Sequence, residues 1–338
     1  MILVTGGTGL VGSHLLLDLA RSNQKVRAIY RSTHSLKAVK KVFSYSNSEE
    51  EVERLYSSIE WIKADITDVP SLEAAFENIT KVYHCAALVS FDSSKDSLLR
   101  KANIEGTANV VNYCIKNKIK KLCFVSSIAT LDLKPKEKVI SETSYWNKEK
   151  DHNMYAITKY GAEMEVWRAS QEGVPVVLIN PGVIIGAGFW KTGSGRIFSK
   201  IQHGLKYYIN KVTGFVGVED VVKVMQLLMN SPVENDQFIV VSENLSFKAI
   251  FEKVATVLDK QPPTKKLRSW MVYTGWIFQG IRGLITGNEK NLTLNSAKSF
   301  TEKSYYSNEK ICKEIDFKFE SMDSVIQRTG KRFKQDLT

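Results

Sequence analysis

The stretch "ILVTGGTGLVGSHL", residues 2–15, sets an apolar strand, a glycine-rich turn and the start of a helix in direct succession. Gly6, Gly9 and Gly12 recur every third residue, and Gly7 makes a G-x-G-x-x-G pattern with Gly9 and Gly12. Glycine permits the tight turn and lets the backbone approach a pyrophosphate with no Cβ in the way. The N–H groups at the helix start then face the negative charge. Such a motif is weak alone, but here it lies between a strand and a helix, the context that dinucleotide binding requires. Gly6, Gly9, Leu10, Val11 and Gly12 are therefore candidate cofactor contacts.

Outward from this turn, short apolar runs alternate with helical patterns through the first 180 residues. Strands are expected at Ile2–Val4, Lys25–Tyr30, Ile59–Lys63, Lys81–Cys85, Lys121–Val125 and Val174–Ile179, with helices such as Leu10–Arg21, Ser71–Asn78 and Asn103–Lys116 between them. That rhythm predicts an α/β fold, a Rossmann-type doubly wound parallel sheet. Residues 44–58, "SYSNSEEEVERLYSS", read as a polar insertion with a short acidic helix. Beyond Asn180 the rhythm loosens; helix resumes at Val218–Met229, and "QPP" at 261–263 marks a turn. The expected division is an NAD(P)-binding domain over 1–180, to which 215–242 returns. A smaller substrate-binding lobe, 181–214 and 243–338, covers the carboxyl edge of the sheet, where ligands bind in such folds.

The end of the second strand bears on the cofactor. Dinucleotide folds for NAD commonly place a carboxylate there, on the ribose hydroxyls. Here "RAIYRSTHS", residues 27–35, has Arg31 and no carboxylate. Arginine suits a 2′-phosphate, so the reading favours NADP over NAD, with a solvent-facing Arg31 as the plain alternative.

Composition narrows the class. The chain has 338 residues, 43% hydrophobic and 25% charged, a balance typical of a soluble globular protein. Cys85, Cys114, Cys123 and Cys312 lie far apart and read as reduced thiols; the five histidines are scattered, so no metal site is expected. The net charge of +11 suits phosphate-bearing ligands, but the basic residues are not clustered, and nucleic acid is not an expected partner. The chain opens directly into a strand, so a secretory signal is not expected and a cytoplasmic location is. The most apolar window, residues 270–285, spans 16 residues and contains Gln279 and Arg282, too short and too polar for a transmembrane span. Its helical period fits a helix closing over an apolar pocket or core, or one touching a membrane surface or partner.

Tyr155 and Lys159 in "MYAITKYGAE", residues 154–163, stand one helical turn apart. The same spacing recurs at Tyr207/Lys211 and Tyr306/Lys310, so surroundings must separate them. The ordered motifs do so. "TGGTGLVG" at 5–12, "ADITD" at 64–68, "HCAALVSF" at 84–91, "NIEGTANVV" at 103–111, "FVSSIAT" at 124–130, "YAITK" at 155–159 and "INPGVIIG" at 179–186 resemble the extended short-chain dehydrogenase/reductases, also called the NAD-dependent epimerase/dehydratase family. Within it they look most like the dihydroflavonol-reductase and 3β-hydroxysteroid-dehydrogenase branch.

The resemblance implies specific roles. Asp65 and Ile66 would lie near the adenine, and Ala86 and Ala87 would line the cofactor. Tyr155 would carry the proton, and Lys159 would tune it and hold the nicotinamide ribose. Ser127 would polarise the substrate oxygen, with Ser126 facing the cofactor or simply buried. Asn180, Pro181, Gly182 and Val183 would lie where substrate and nicotinamide meet. Phe91, Phe189 and Trp190 are candidate substrate walls, with ordinary core aromatics as the alternative. Asn103, Asn109 and Asp220 read as structural. A phenol of ordinary pKa about 10 is a poor base near pH 7. An ammonium ~4 Å away at an effective dielectric of ~20 is worth about 4 kcal/mol, roughly three pKa units. One departure is that Leu131-Asp132 stand where many sugar-nucleotide epimerases have Tyr-Gly. The expected function is hydride transfer between nicotinamide and a secondary alcohol or ketone of a partly apolar small-molecule substrate. The alternatives are a nucleotide-sugar 4-epimerase or dehydratase, and a non-catalytic NAD(P)-binding sensor or scaffold. The family also implies a homodimer, through helices near 98–117 and 155–172.

Overall fold

A computed structural model describes residues 1–267 and 302–337. Six strands come first: β1 (Ile2–Thr5), β2 (Val26–Tyr30), β3 (Ile59–Lys63), β4 (Lys81–His84), β5 (Lys121–Val125) and β6 (Val176–Pro181). The chain continues through β7 (Val183–Ile185), β8 (Tyr207–Tyr208) and β9 (Val212–Gly217) to β10 (Asp236–Val240), then β11 (Glu243–Ser246) and β12 (Lys265–Lys266). The main sheet runs β10-β6-β5-β4-β1-β2-β3 with every neighbouring pair parallel. Chain order reverses between β1 and β4. The crevice outside the carboxyl ends of those two strands is where such sheets take ligands.

Helices cover both faces. α1 (Leu10–Arg21), α2 (Thr33–Ser44), α3 (Glu49–Ser57) and α4 (Val69–Phe76) connect the first strands. α5 (Asp96–Leu99), a π-helical stretch over Arg100–Glu105 and α6 (Gly106–Lys116) then lead to β5, and α7 (Met154–Gln171) leads to β6. Later come α8 (Arg196–Gln202), α9 (Val218–Asn230), α10 (Phe247–Val257), α11 (Glu309–Glu314) and α12 (Met322–Gln335). Side chains alternate across a strand, so the adjacent Leu3 and Val4 enter different cores. Val4 packs with α1, α2 and α9 residues such as Leu15, Phe43 and Met225; Leu3 packs with α4, α6 and α7 residues such as Leu72, Val110 and Ala162. Burial on both faces explains why the strands read as continuous apolar runs.

Sequence periodicity did not predict the second sheet, β11-β9-β7, which carries its own core of Phe198, Phe215, Ile250, Val254, Val325 and Phe333 under α8, α10 and α12. Trp190 belongs there. Its ring meets Phe198 and Phe333 edge-on, and Nε1 donates to Asp336 Oδ2 at 2.7 Å. Phe189 packs against the main core. Both pack against a core on one side while keeping part of their surface exposed. No helix among the described residues is long and apolar enough to cross a membrane. Residues 270–285 lie outside the described residues.

Candidate active site

The glycine turn closes at the carboxyl end of β1. Gly6 has φ +69°, and a Cβ there would lie 2.5 Å from the Ala86 backbone nitrogen, so the turn sits directly on the segment that follows β4. A Cβ at Gly12 would come within 2.2 Å of the Gly6 carbonyl oxygen. Gly9 differs: a Cβ there would meet only the Gly6 oxygen, at an ordinary 3.4 Å. The protein's own packing thus demands glycine at 6 and 12 but not at 9, and the face of Gly9 is left open to a ligand. The first amides of α1, Leu10 to Gly12, have no acceptor within the helix. Gly9 supplies no capping side chain, and the first turn has no acidic residue. An open backbone cradle with an uncapped helix start fits a pyrophosphate.

Beside it, Arg31 follows β2 with its side chain 75% exposed, and its guanidinium lies 3.9 Å from Asp65 Oδ2. Asp65 Oδ1 accepts from the backbone and hydroxyl of Thr67, both at 2.9 Å, which turns the carboxylate toward Arg31 at the sheet edge. Ile66 is buried, and its carbonyl accepts from Asn109 Nδ2 at 2.9 Å. His84, buried between Thr5 Oγ1 (2.6 Å) and Thr107 Oγ1 (2.9 Å), ties the ends of β1 and β4 to α6. Burial lowers it to about 3, so it is a neutral strut. Ala87 is exposed and Ala86 half-buried beyond it.

The reactive side chains come from the next elements. Asn153 caps α7 by accepting from the Ala156 amide at 3.0 Å, which places Tyr155 in the first turn and Lys159 one turn on. The Tyr155 phenol and the Ser127 hydroxyl lie close enough for the serine to influence the phenol. Burial raises the phenol above its ordinary value, and the Ser127 hydroxyl opposes that rise. Lys159 is almost fully buried. Its ammonium donates to the Val125 carbonyl at 2.7 Å and lies 4.2 Å from the centre of the Phe124 ring. Desolvation lowers it to about 8, against the pull of Glu163. The expectation that Lys159 draws the Tyr155 pKa down is not met. The ammonium is engaged by β5, and burial dominates at the phenol.

The other Tyr/Lys pairs are built differently. Tyr207 lies in β8 and Lys211 just before β9. Lys310 pairs with Asp236 at 2.5 Å and stacks on Phe238, while Tyr306 precedes α11. Of the three pairs, Tyr155/Lys159 stands on one helix beside a serine.

Ser127 caps the short 3₁₀ turn Ile128–Thr130, its Oγ accepting from the Ala129 amide at 3.2 Å. The hydroxyl of Ser126 turns away, donating to Glu163 Oε1 at 2.5 Å. Asn180, expected at the substrate, has no exposed surface, a correction to that expectation. Its Nδ2 reaches the Ser127 carbonyl (3.2 Å), Thr130 Oγ1 (3.1 Å) and Glu163 Oε1 (2.8 Å), so it acts through the Ser127 turn. Pro181 ends β6, and Gly182 and Val183 follow at the start of the second sheet. The ring of Phe91 meets that of Tyr155 edge-on, centroids 5.8 Å apart, with Phe91 mostly exposed. Asn103, on the π-helical stretch, brackets the Leu88 backbone (2.7 and 3.0 Å) and reaches Thr158 Oγ1 at 3.0 Å, which holds the Phe91 loop to α7. Asp132, at the departure from the epimerase motif, is buried, accepts from the Asn147 amide at 2.9 Å and pairs with Lys150 at 3.1 Å. Asp220 accepts from the Glu320 amide, as a structural residue does. Sequence reasoning missed Glu163; the signal lay in its spacing, one turn beyond Lys159.

The pattern of the NAD dependent epimerase/dehydratase family matches residues 2–242, most of the chain. The chain belongs to that family. It is thus a nicotinamide-dependent enzyme of the extended short-chain dehydrogenase/reductase type. Among similar proteins, a dihydroflavonol 4-reductase of Gerbera hybrida is 26% identical over 282 residues, 78% of this chain and 74% of its own. A cinnamoyl-CoA reductase of Petunia hybrida is 27% identical over 276 residues, 78% of this chain and 80% of its own. The UDP-glucose 4-epimerase of Thermotoga maritima, solved with UDP-glucose, superposes with a TM-score of 0.76 at 20% identity, covering 100% of this chain and 99% of that one. That likeness supports the family's fold.

Proposed function

We propose that this member is an NAD(P)-dependent reductase that interconverts a ketone and a secondary alcohol on a partly apolar small molecule. The observation that carries the reading is the Ser127–Tyr155 hydroxyl pair, with the Lys159 ammonium one turn behind, opening beside an uncapped glycine cradle. Relatives named as reductases support the reaction class. Gly6, Gly9, Leu10, Val11 and Gly12 would hold the pyrophosphate, Asp65 and Ile66 the adenine side, Ala86, Ala87, Pro181, Gly182 and Val183 the nicotinamide half, and Lys159 its ribose. The bound cofactor supplies or accepts the hydride.

Each reduction also needs one proton on the substrate oxygen. Tyr155, held neutral by burial, stores that proton at pH 7. Ser127, close to the phenol oxygen, favours the phenolate left behind and is placed to share the substrate oxygen. Phe91 stands against Tyr155, where an apolar substrate would pass.

Arg31 at the end of β2 supports NADP over NAD. The sheet with 215–242 is assigned to the cofactor, and 181–214 with the chain after 243 to the substrate. Leu98 on α5 and Met164 on α7, both exposed, favour a homodimer through those helices. Four unbridged thiols suit the reducing cytoplasm.

The test is turnover of a ketone panel with deuteride-labelled NADPH and NADH. Deuterium at the new carbinol carbon, with NADPH preferred, is the expected result. NAD that survives dialysis, with turnover of a nucleotide-sugar and no net oxidation, would replace this reading with a 4-epimerase.

A further inference from the structure

We propose that Glu163 is a positioning residue of this site, anchoring the turn that carries Ser127 and supplying the negative charge that faces the Lys159 ammonium. The inference rests on the reductase reading for its kinetics but not for its electrostatics. Residues 155, 159 and 163 lie one turn apart along α7, so the proton carrier, the cation and the carboxylate share one helix face.

Glu163 is only 3% exposed, a burial that a carboxylate tolerates only when well partnered. Three donors from three elements meet on Oε1: Ser126 Oγ at 2.5 Å from the end of β5, Thr130 Oγ1 at 2.8 Å from the 3₁₀ turn, and Asn180 Nδ2 at 2.8 Å from β6. Two of these also reach the Ser127 carbonyl, Thr130 at 2.9 Å and Asn180 at 3.2 Å. A hydroxyl has one proton, so Thr130 serves one acceptor at a time, while Asn180, with two, can serve both. The carboxylate thus closes a network around the backbone of Ser127 without approaching the substrate.

The second half concerns charge. The titratable groups facing the Lys159 ammonium are His84 at the end of β4, Cys85 just after it and Glu163 from its own helix; β5 presents Phe124 and the Val125 carbonyl. Burial keeps His84 neutral, at about 3, and the Cys85 thiol protonated, up to about 12. Of these groups, Glu163 alone can offset the buried ammonium. Burial pushes its carboxyl upward, and the three donors and Lys159 oppose this.

The experiment uses the full chain carrying ¹³Cε-labelled lysine, with the Lys159 resonance assigned by its loss in Lys159→Met. In the wild type that resonance should titrate near pH 8. In Glu163→Gln it should titrate about one unit lower, the scale of attraction between opposite charges one turn apart after solvent screening. The alkaline limb of kcat should move with it, Glu163→Asp should restore much of the shift, and NADPH affinity at pH 6.5 should stay within about twofold because the cradle is untouched. An unmoved lysine titration overturns the electrostatic half. Thr130→Val, which removes one donor with little change of shape, should lower kcat about fivefold or more at unchanged NADPH affinity, the scale of one lost hydrogen bond. Unchanged kcat there overturns the anchoring half, even if the Gln variant does not fold. If the wild type turns over no ketone, the reductase reading fails and the lysine titration still decides this one.

Discussion

Substituting Gly9 and Gly12 of the first turn by alanine, one at a time, separates fold from cofactor. At Gly9 the backbone is extended, φ −94° and ψ 179°, and a Cβ would touch nothing nearer than 3.4 Å. Alanine is a poorer helix cap than glycine by about 0.5–1 kcal/mol, but it reduces unfolded-chain entropy by a similar ~0.4–1 kcal/mol. Gly9→Ala should therefore keep its apo stability within about 1 kcal/mol. The same Cβ stands where a pyrophosphate would approach the amides of α1. Losing one charge-assisted hydrogen bond costs about 1.5–3 kcal/mol, or roughly 10–150-fold in the NADPH dissociation constant. Gly12→Ala is the contrast. Its Cβ would lie 2.2 Å from a backbone carbonyl oxygen, and such overpacking costs about 3 kcal/mol or more, visible as a lower melting temperature without any ligand. Thermal unfolding of the apo proteins and titration calorimetry with NADPH measure both quantities. A folded Gly9→Ala protein that binds NADPH as tightly as wild type would refute the cradle, and a fully stable Gly12→Ala protein would refute the packing.

Two further outcomes follow from charge. Arg31 is mostly exposed and only 3.9 Å from Asp65, so its ion pair contributes little to folding. Arg31→Ala should raise KM for NADPH about three- to tenfold while leaving NADH and the melting temperature nearly unchanged, and equal losses for both cofactors would contradict the 2′-phosphate assignment. Lys159 has its pKa lowered to about 8 in the fold against 10.5 in an ordinary lysine, so below pH 8 the buried ammonium opposes folding. Between pH 8 and 10.5 the unfolded chain holds the extra proton and stability rises with pH. Lys159→Met should thus be inactive yet more stable at pH 7, by up to about 3 kcal/mol, with the gap closing toward pH 10.5 in denaturant melts. A pH-independent gap would contradict the burial.

Local chemistry made the first half of the chain legible. Fully buried parallel strands are continuous apolar runs, so β1 to β6 fall within two residues of the spans expected from sequence, and the glycine spacing marks their switch point. Tertiary contacts made the rest obscure. The π-helical stretch that turns Asn103 inward leaves no pattern in "RKANIE". Glu163 looks like any helical glutamate until Ser126, Thr130 and Asn180 converge on it from elsewhere in the chain. Asn180, next to the cofactor motif in sequence, is turned by the same network into the protein. Trp190 reads equally as substrate wall or core aromatic, because nothing local shows that Phe198, Phe333 and Asp336 will pack against it. Spacing did place Tyr155 and Lys159 on one face, but not the Val125 carbonyl that holds the ammonium.

The most direct measurement is kcat of Tyr155→Phe, with NADPH affinity determined on the same preparation. The phenyl ring keeps the edge-on packing with Phe91 and removes only the hydroxyl that Ser127 influences. The account predicts a fall in kcat of about 10²–10⁴-fold, the usual contribution of a positioned general acid, with NADPH affinity within about twofold. A variant that turns over ketone at the wild-type rate would contradict it.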